Sequence, residues 1–517
     1  MANGAGIGEA FAVNFMPPVT MATEVDGAAE LATRDTLCRG KGMARAMLLA
    51  FLICRASAVS QEAPPSPDRP WHAAGEPGLQ GEGRFLRPPE FPLDSSTNYS
   101  LGDLIDLAET HNPETRFAWE RARAQAATLG LARSELYPTL AATAVSQFTH
   151  GNAFFGASFY RQNIGELEGG LELSYTVFDF GARAGRINAA NAELLAANSS
   201  FNDAHRRVIY QVEQAYYQLL NSVGQLAAAQ ASLTNAQTVQ QAAEERLKNG
   251  LATSPDVLEA RSATAQAEYE LQAIIGAQEI AQGNLAKSLG TTPVAPIHVQ
   301  PLEQLTIPDT LADTVDQALN RAFAQRPDLL QHFAEVRSAS ARVKEARAAY
   351  YPTVSLNAVG GGQGLHASQD SGPWVSRGDF VGGIGLSLTW PLFDAGARKS
   401  KLARAKADVL ASEASVSGTR DAIAEEVWRA YSNLRTAFRQ RESALALRSA
   451  AEQSYAAALE SYNHGVRNLL DVTAAQRTLA QARSTDVLAR TQVLASLAEL
   501  AFRTGDSIQR TARKTGP

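Results

Sequence analysis

The feature that most restricts this chain is a sentence it writes twice. GLELSYTVFDFG at Gly170–Gly181 returns as GLSLTWPLFDAG at Gly385–Gly396, roughly 215 residues later, and each copy leads from an alternating strand into a long run without proline. In the second copy Ile384, Leu386, Leu388 and Trp390 fall on one side, with Gly385, Ser387 and Thr389 on the other; in the first, Leu171, Leu173, Tyr175 and Val177 oppose Glu172, Ser174 and Thr176. Pro391 then removes a ladder donor, and Asp394 and Gly396 supply turn and cap chemistry for a helix start. Other punctuation keeps the same step. Tyr137-Pro138 returns as Tyr351-Pro352, Asn112-Pro113 as Arg326-Pro327, and Gly250 with Asp256 and Val257 as Gly465 with Asp471 and Val472. These turn residues lie outside the helices, so shared coiled-coil composition does not account for them.

The proline-free runs carry a heptad seam. Ile423, Val427, Ala430, Leu434, Ala437, Ala444, Ala451, Tyr455, Ala458 and Tyr462 recur at four-then-three spacing, and Val208, Val212, Ala215, Leu219, Leu226, Ala229, Leu233, Ala236, Ala243 and Leu247 do so in the first copy. A helix over 397–462 rises about 1.5 Å per residue and reaches on the order of 100 Å, more than a globular core needs. The spacing predicts two structural repeats, 99–290 and 313–505, joined by a crossover at 291–312. Each ends in a long helical hairpin, at 182–289 and 397–503, turning at Gly250 or Gly465 in the left-handed conformation glycine favours. Helices within 99–135 and 313–350 complete the rods, and 506–517 reads as a flexible tail.

Strands are expected at about 139–149 and 168–178, and at about 353–360 and 380–392, with the segments between them, including the glycine run Gly360–Gly364, read as loops. Strands of about ten residues suit a tilted membrane strand. One face is apolar, and Tyr175, Phe178, Trp390 and Phe393 stand at strand ends, where a membrane interface places aromatic rings. Four strands leave open edges, so several copies sharing one closed, even-numbered barrel is the natural solution. The alternative at this point is a soluble sandwich on a coiled coil.

Residues 1–58 are read as a start region with a secretory signal: a basic start at Met43, an apolar run Met47–Cys54 and a small-x-small site at Ala56–Ala58. Lipid attachment at Cys54 is disfavoured by the bulk of Ile53. Residues 59–98 are a Pro-rich linker. The formal net charge of −6 comes without a basic block, so nucleic acid has no footprint. Both cysteines, Cys38 and Cys54, precede the repeats, the eight histidines are scattered, and no phosphate loop, HExxH, CxxC or GxSxG motif occurs. No cofactor, metal or catalytic residue is expected, and energy must come from a partner.

A doubled plan of strand hairpin and helical hairpin, with YP before the first strand and FD-x-G after the second, resembles the TolC-type outer-membrane efflux proteins. The resemblance covers about Tyr99 to Gly505. It implies a mainly α fold with a membrane β-barrel part, in which three protomers build a twelve-stranded barrel continued by an α-helical barrel across the periplasm. It also implies a periplasmic adaptor, an inner-membrane pump of RND or ABC type, and outer-membrane lipid as partners. By position, SYNHGVRNLLDV at Ser461–Val472 matches the second tip turn, so Tyr462, Arg467 and Asp471, with Asp256 of the first tip, match residues that hold or line a closed aperture. Asn249, Gly250, Leu251, Gly465, Val466 and Leu469 match the adaptor-facing tips. The family often has a second acidic residue where this chain has Ala474. The resulting expectation is a passive export duct of a tripartite efflux or type I secretion system, with a periplasmic adaptor or coiled-coil scaffold as the alternative and an outer-membrane enzyme behind it.

Overall fold

The computed structural model describes residues 97–156, 158–292, 296–308 and 314–506; the signal-like segment with Cys54, the Pro-rich linker, the 507–517 tail and parts of the crossover lie outside them. The elements run β1 (Asn98–Tyr99), α1 (Leu101–His111), α2 (Pro113–Ser134), β2 (Thr139–Phe155), β3 (Ser158–Phe178), α3 (Ala182–Lys248), α4 (Ser254–Leu289), β4 (His298–Val299), α5 (Val315–Gln325), α6 (Pro327–Ala348), β5 (Thr353–Gln369), β6 (Val375–Thr389), α7 (Ala397–Asn463) and α8 (Leu469–Thr504). Short β1 pairs in parallel with β4, tying the crossover to the start of the first repeat.

The outgoing helices α3 and α7 have 67 residues each and the returning helices α4 and α8 have 36 each. The shorter members are extended by α2 and α6, which pack on the upper parts of α3 and α7. All ten expected seam positions of α7 are buried, with Val416 continuing the row. In α3 the seam drifts. Leu226 and Leu233 are only half-buried, Leu247 is exposed, and Val239 takes the core position. A straight helix of 3.6 residues per turn slips about 20° per heptad, and a seam of this length shows that slip. Fully buried side chains such as Leu434 and Leu219 each contribute about 2 kcal/mol by leaving water.

The repeat is visible in the joints. Asp179 accepts from the backbone of Gly181 at 3.2 Å and Arg183 at 2.7 Å, and Asp394 does the same for Gly396 at 3.1 Å and Arg398 at 2.9 Å. Each arginine returns a guanidinium bond to its aspartate, so strand ends and helix begins at a fixed angle. At the other end of the upper bundle, Asn112 caps α2 and donates to Ser288 O at 2.8 Å, closing the end of α4. Arg326 stands in the matching place and reaches Arg503 O at 3.4 Å, while pairing with Asp328 at 2.6 Å and Glu426 at 2.7 Å. Buried Arg206 adjoins this cluster, held by Asp203 and by Phe502 O at 2.8 Å.

Burial alone would raise the Asp328 carboxyl, but the bond and charge of Arg326, helped by Arg206, outweigh it and hold it below the usual aspartate range. A carboxyl depressed in the folded state stabilises the fold above its unfolded pKa near 4, and that contribution is lost as pH falls through the lower folded value. Thermal unfolding followed by far-UV circular dichroism should therefore be flat from about pH 7 to about 5 and fall steeply below about pH 4. Asp328→Asn should flatten that acid slope.

The strands are longer than expected, at 17, 21, 17 and 15 residues, and most of the segments read as loops belong to them, leaving Asp370–Trp374 as the turn between β5 and β6, while the last strand ends at Thr389 and not at 392. Gly151–Phe155 and Ser158–Gly165 are paired hairpin arms, and the glycine run Gly360–Gly364 lies in mid-strand. The reason is close approach. At Gly361 a Cβ would lie 2.3 Å from Gly169 O, so two backbones meet there with no room for a side chain. The sheet order is β2-β3-β5-β6, antiparallel throughout, so the two hairpins join through β3 and β5 and leave β2 and β6 as free edges.

Candidate functional site

The register sorts the sheet into two chemically distinct faces. Leu140, Leu173, Ala358 and Ile384 form one row across the four strands, followed by the row Tyr175, Leu356 and Leu386, and by the row Ala142, Leu171, Gly360 and Gly382. On this face Ile384, Leu386 and Leu388 are 77%, 72% and 65% exposed, and Leu171 and Trp390 are exposed beside them, while Leu173 and Tyr175 are half-covered by neighbours. Leucines so bare on a paired strand need an apolar solvent or a partner surface. Aromatic rings bracket the row: Trp390, whose indole donates to Tyr350 O at 3.1 Å, with the stacked Phe180 and Tyr351 at the helical end, and Phe380 and Trp374 toward the hairpin tips. Trp390, one residue past the end of β6, and Phe380 within it are ten residues apart, a span that in a strand tilted as membrane strands are matches an apolar band about 25 Å tall.

The opposite face is polar. Glu166, Glu168 and Glu172 of β3 share it with Asn357 and Gln363 of β5 and with Arg377 and Asp379 of β6. Gln363 donates to the Glu166 carboxylate, Asn357 donates to Ser387 at 3.2 Å, and Arg377 pairs with Asp379 at 2.9 Å. In a closed membrane barrel, polar groups of this kind suit a water-filled interior and apolar ones a lipid-facing exterior.

At the far end both helical hairpins turn through left-handed glycines, Gly250 at φ 69° and Gly465 at φ 75°. The orphan carbonyls close in the same way twice: Leu251 N binds Arg246 O at 2.8 Å, and Val466 N binds Ser461 O at 2.9 Å. Thr253 and Asp256 then form a capping box on α4, and Asn468 caps α8 by accepting from Asp471 N at 2.9 Å. The Thr253 backbone and hydroxyl hydrogen bonds hold the Asp256 carboxyl below its usual range.

The tip residues singled out from sequence divide into groups. Asp471, Arg467, Asn249 and Gly250 are exposed, as are Leu251, Gly465 and Val466. Leu469 is a correction: it is 2% exposed, packed against the core shared by the four helices, and its neighbour Leu470 faces out instead. The first residue of α8 points at that core, and the next is rotated about 100° away. Tyr462 is buried at 4%, so it holds the tip rather than lining an opening. Among the described residues of the protomer, no ion pair joins Arg467 to Asp256; Asp256 is engaged by Thr253.

Two side chains that bridge the hairpins near the tip were missed: Arg477 of α8, 3.0 Å from Glu259 of α4, and Arg246 at the very end. Arg246, in the last turn of α3, donates to Tyr462 O at 2.9 Å and Asn463 O at 3.2 Å and sets its guanidinium 4.8 Å from the centre of the Tyr462 ring. A basic residue in a last turn is a legible cap signal, but its target on the other hairpin is not.

A sheet with one bare apolar side and one polar side, joined to long helical hairpins with exposed tips, is the plan of a membrane-anchored duct. The family of outer membrane efflux proteins matches over residues 104–291 and 318–506, both repeats, and the chain belongs to that family. It is 30% identical over 412 residues to protein CyaE of Bordetella pertussis, covering 79% of this chain and 85% of that one. It is also 26% identical over 404 residues to the cation efflux system protein CusC of Escherichia coli K12, covering 74% and 81%. Among solved structures it is similar to the outer-membrane channel OprN, with a TM-score of 0.69 at 21% identity over 82% of this chain and 96% of that one. The Vibrio cholerae outer membrane protein VceC gives 0.66 at 22% identity over 78% and 96%. The chain is an outer-membrane export channel of a tripartite efflux or secretion system. Its family is one of trimeric ducts with adaptor and inner-membrane pump partners, and not of enzymes.

Proposed function

We propose that three copies pool their sheets into one twelve-stranded barrel, and that the resulting passive duct is narrowed at the periplasmic tip by Asp471, Arg467 and Asp256, with the buried ring of Tyr462 holding the tip from within its core. The observation that carries the pooling is the sheet itself: free edges at β2 and β6, with a bare apolar face between aromatic rings. Exposed apolar side chains on the helix flanks support it. Phe117 and Leu131 on α2, Leu258, Tyr269 and Ile280 on α4, and Leu410 and Trp428 on α7 give sister helices something to bury. The exposed Leu251, Val466 and Leu470 offer an apolar rim to a helical adaptor, and an RND or ABC pump supplies the energy.

Three copies of Asp471 near a narrow axis repel one another and attract cations. Replacing Asp471 and Asp256 together with alanine should raise single-channel conductance in planar bilayers and weaken block by multivalent cations. Unchanged conductance and unchanged block would remove the tip carboxylates from the constriction.

A further inference from the structure

We infer that Arg246 is the positioning residue of the tip, a staple by which the first helical hairpin holds the end of the second. The inference rests on the proposed constriction at the tip, but its geometry stands within one protomer.

Helix α7 ends without a cation of its own. Its last turn contains no basic residue, so the negative end of a 67-residue helix has no cation from its own last turn. Helix α3, its counterpart in the first repeat, ends with both Arg246 and Lys248. The place matching Arg246 in α7 is Ser461, whose side chain bonds only back into its own helix, to Ala457 O at 2.7 Å. Arg246 is turned away from its own helix end and capped onto the other. Its Nη1 serves two terminal carbonyls of α7, the guanidinium covers the Tyr462 ring, and its Nη2 lies 3.7 Å from the place a Cβ would take on Gly465. One side chain thus touches the last residues of α7 and the turn that follows.

Tyr462 completes the staple from below. The ring is packed in the core formed by Val239, Ala243, Val257, Ala458 and Val472, which draws on both hairpins, and its hydroxyl has no hydrogen-bond partner among the described residues. The aromatic face is therefore what this position uses, and the hydroxyl is dispensable. If the second hairpin swings outward to widen the duct, the carbonyl bonds and the cation–ring contact of Arg246 are lost together, while Arg467 and Asp471 have no such bond within the protomer to break.

The test uses purified full-length trimer, checked for heat-resistant trimer on gels, with two readouts: amide hydrogen exchange at Asn463–Gly465 and single-channel conductance. Arg246→Ala should raise exchange in that turn at least tenfold and raise conductance several-fold. Arg246→Lys, which keeps the charge but loses the forked geometry, should restore part of both. Tyr462→Phe should match wild type in both, and Tyr462→Leu should resemble Arg246→Ala. Exchange unchanged in Arg246→Ala, or an effect of Tyr462→Phe equal to that of Tyr462→Leu, overturns the staple. Raised exchange with unchanged conductance supports the staple and overturns the tip as the constriction.

Discussion

Gly361→Val should abolish assembly of the barrel, reducing heat-resistant trimer in the outer-membrane fraction by at least about tenfold, while Gly362→Val one residue away should leave it near wild type. At Gly361 a Cβ would sit 2.3 Å from Gly169 O and 2.5 Å from Gly170 Cα, and at its partner Gly170 a Cβ would sit 2.8 Å from Gly360 O. All these obstacles are backbone, so no side chain can rotate aside. The β3–β5 ladder, through which the two repeats share one sheet, must open in its middle. Overpacking of this kind costs about 1–3 kcal/mol or more per site, and the trimer carries the defect three times. At Gly362 nothing lies within 4 Å, and the side chain would enter the apolar face, where valine is welcome. The pair separates close approach from any general intolerance of bulk in the strand. Semi-native gel electrophoresis with and without heating reads both variants.

Arg326→Ala should destabilise the helical part by about 3–5 kcal/mol, the range for removing one partner of a buried charge cluster. Arg326 is 5% exposed and serves Asp328, Glu426 and the C-terminal carbonyl of Arg503 at once. Its loss leaves two carboxylates partly buried without their main cation and opens the end of α8. Arg503, 3.1 Å from Glu426, remains, so the loss concentrates on Asp328. Arg326→Met, which fills much of the same volume, should recover little, because the missing element is charge and not packing. Urea unfolding followed by circular dichroism gives the difference directly. The counterpart change Asn112→Ala in the first repeat removes one cap and one interhelix bond and should cost nearer 1–2 kcal/mol.

The long helices were legible because their signal is periodic and local. Every named seam position of α7 is buried, and the glycines just past the ends of α3 and α7, Gly250 and Gly465, themselves take the left-handed turn geometry glycine allows. The misreadings have the opposite character. The glycines and asparagines of GNAFFGASFYRQNIG and the glycines of Gly360–Gly364 have the composition of loops; the first segment is strand because its two arms pair with each other, and the second because Gly361 meets Gly170 across the sheet with no room for a side chain. Leu469 and Leu470 are adjacent leucines, and which one turns inward depends on the start of α8, a boundary the sequence leaves open by a residue or two. Arg246 carries a local signal but finds its partner 216 residues away, a distance over which a single sequence has no grammar.

The central claim is that the sheet is sealed only by sister copies, and cysteine pairing across the free edges tests it most directly. With Cys38 and Cys54 replaced by serine, cysteine at Ala141 on β2 is combined in turn with cysteine at Val381, Gly383, Gly385 or Ser387 on β6, and the protein is oxidised in its native membrane. Within one protomer β3 and β5 separate these strands, so a disulfide between them must join two copies. The account predicts that one pair gives a covalent ladder ending at the trimer. Single chains only, at all four pairs, would contradict it.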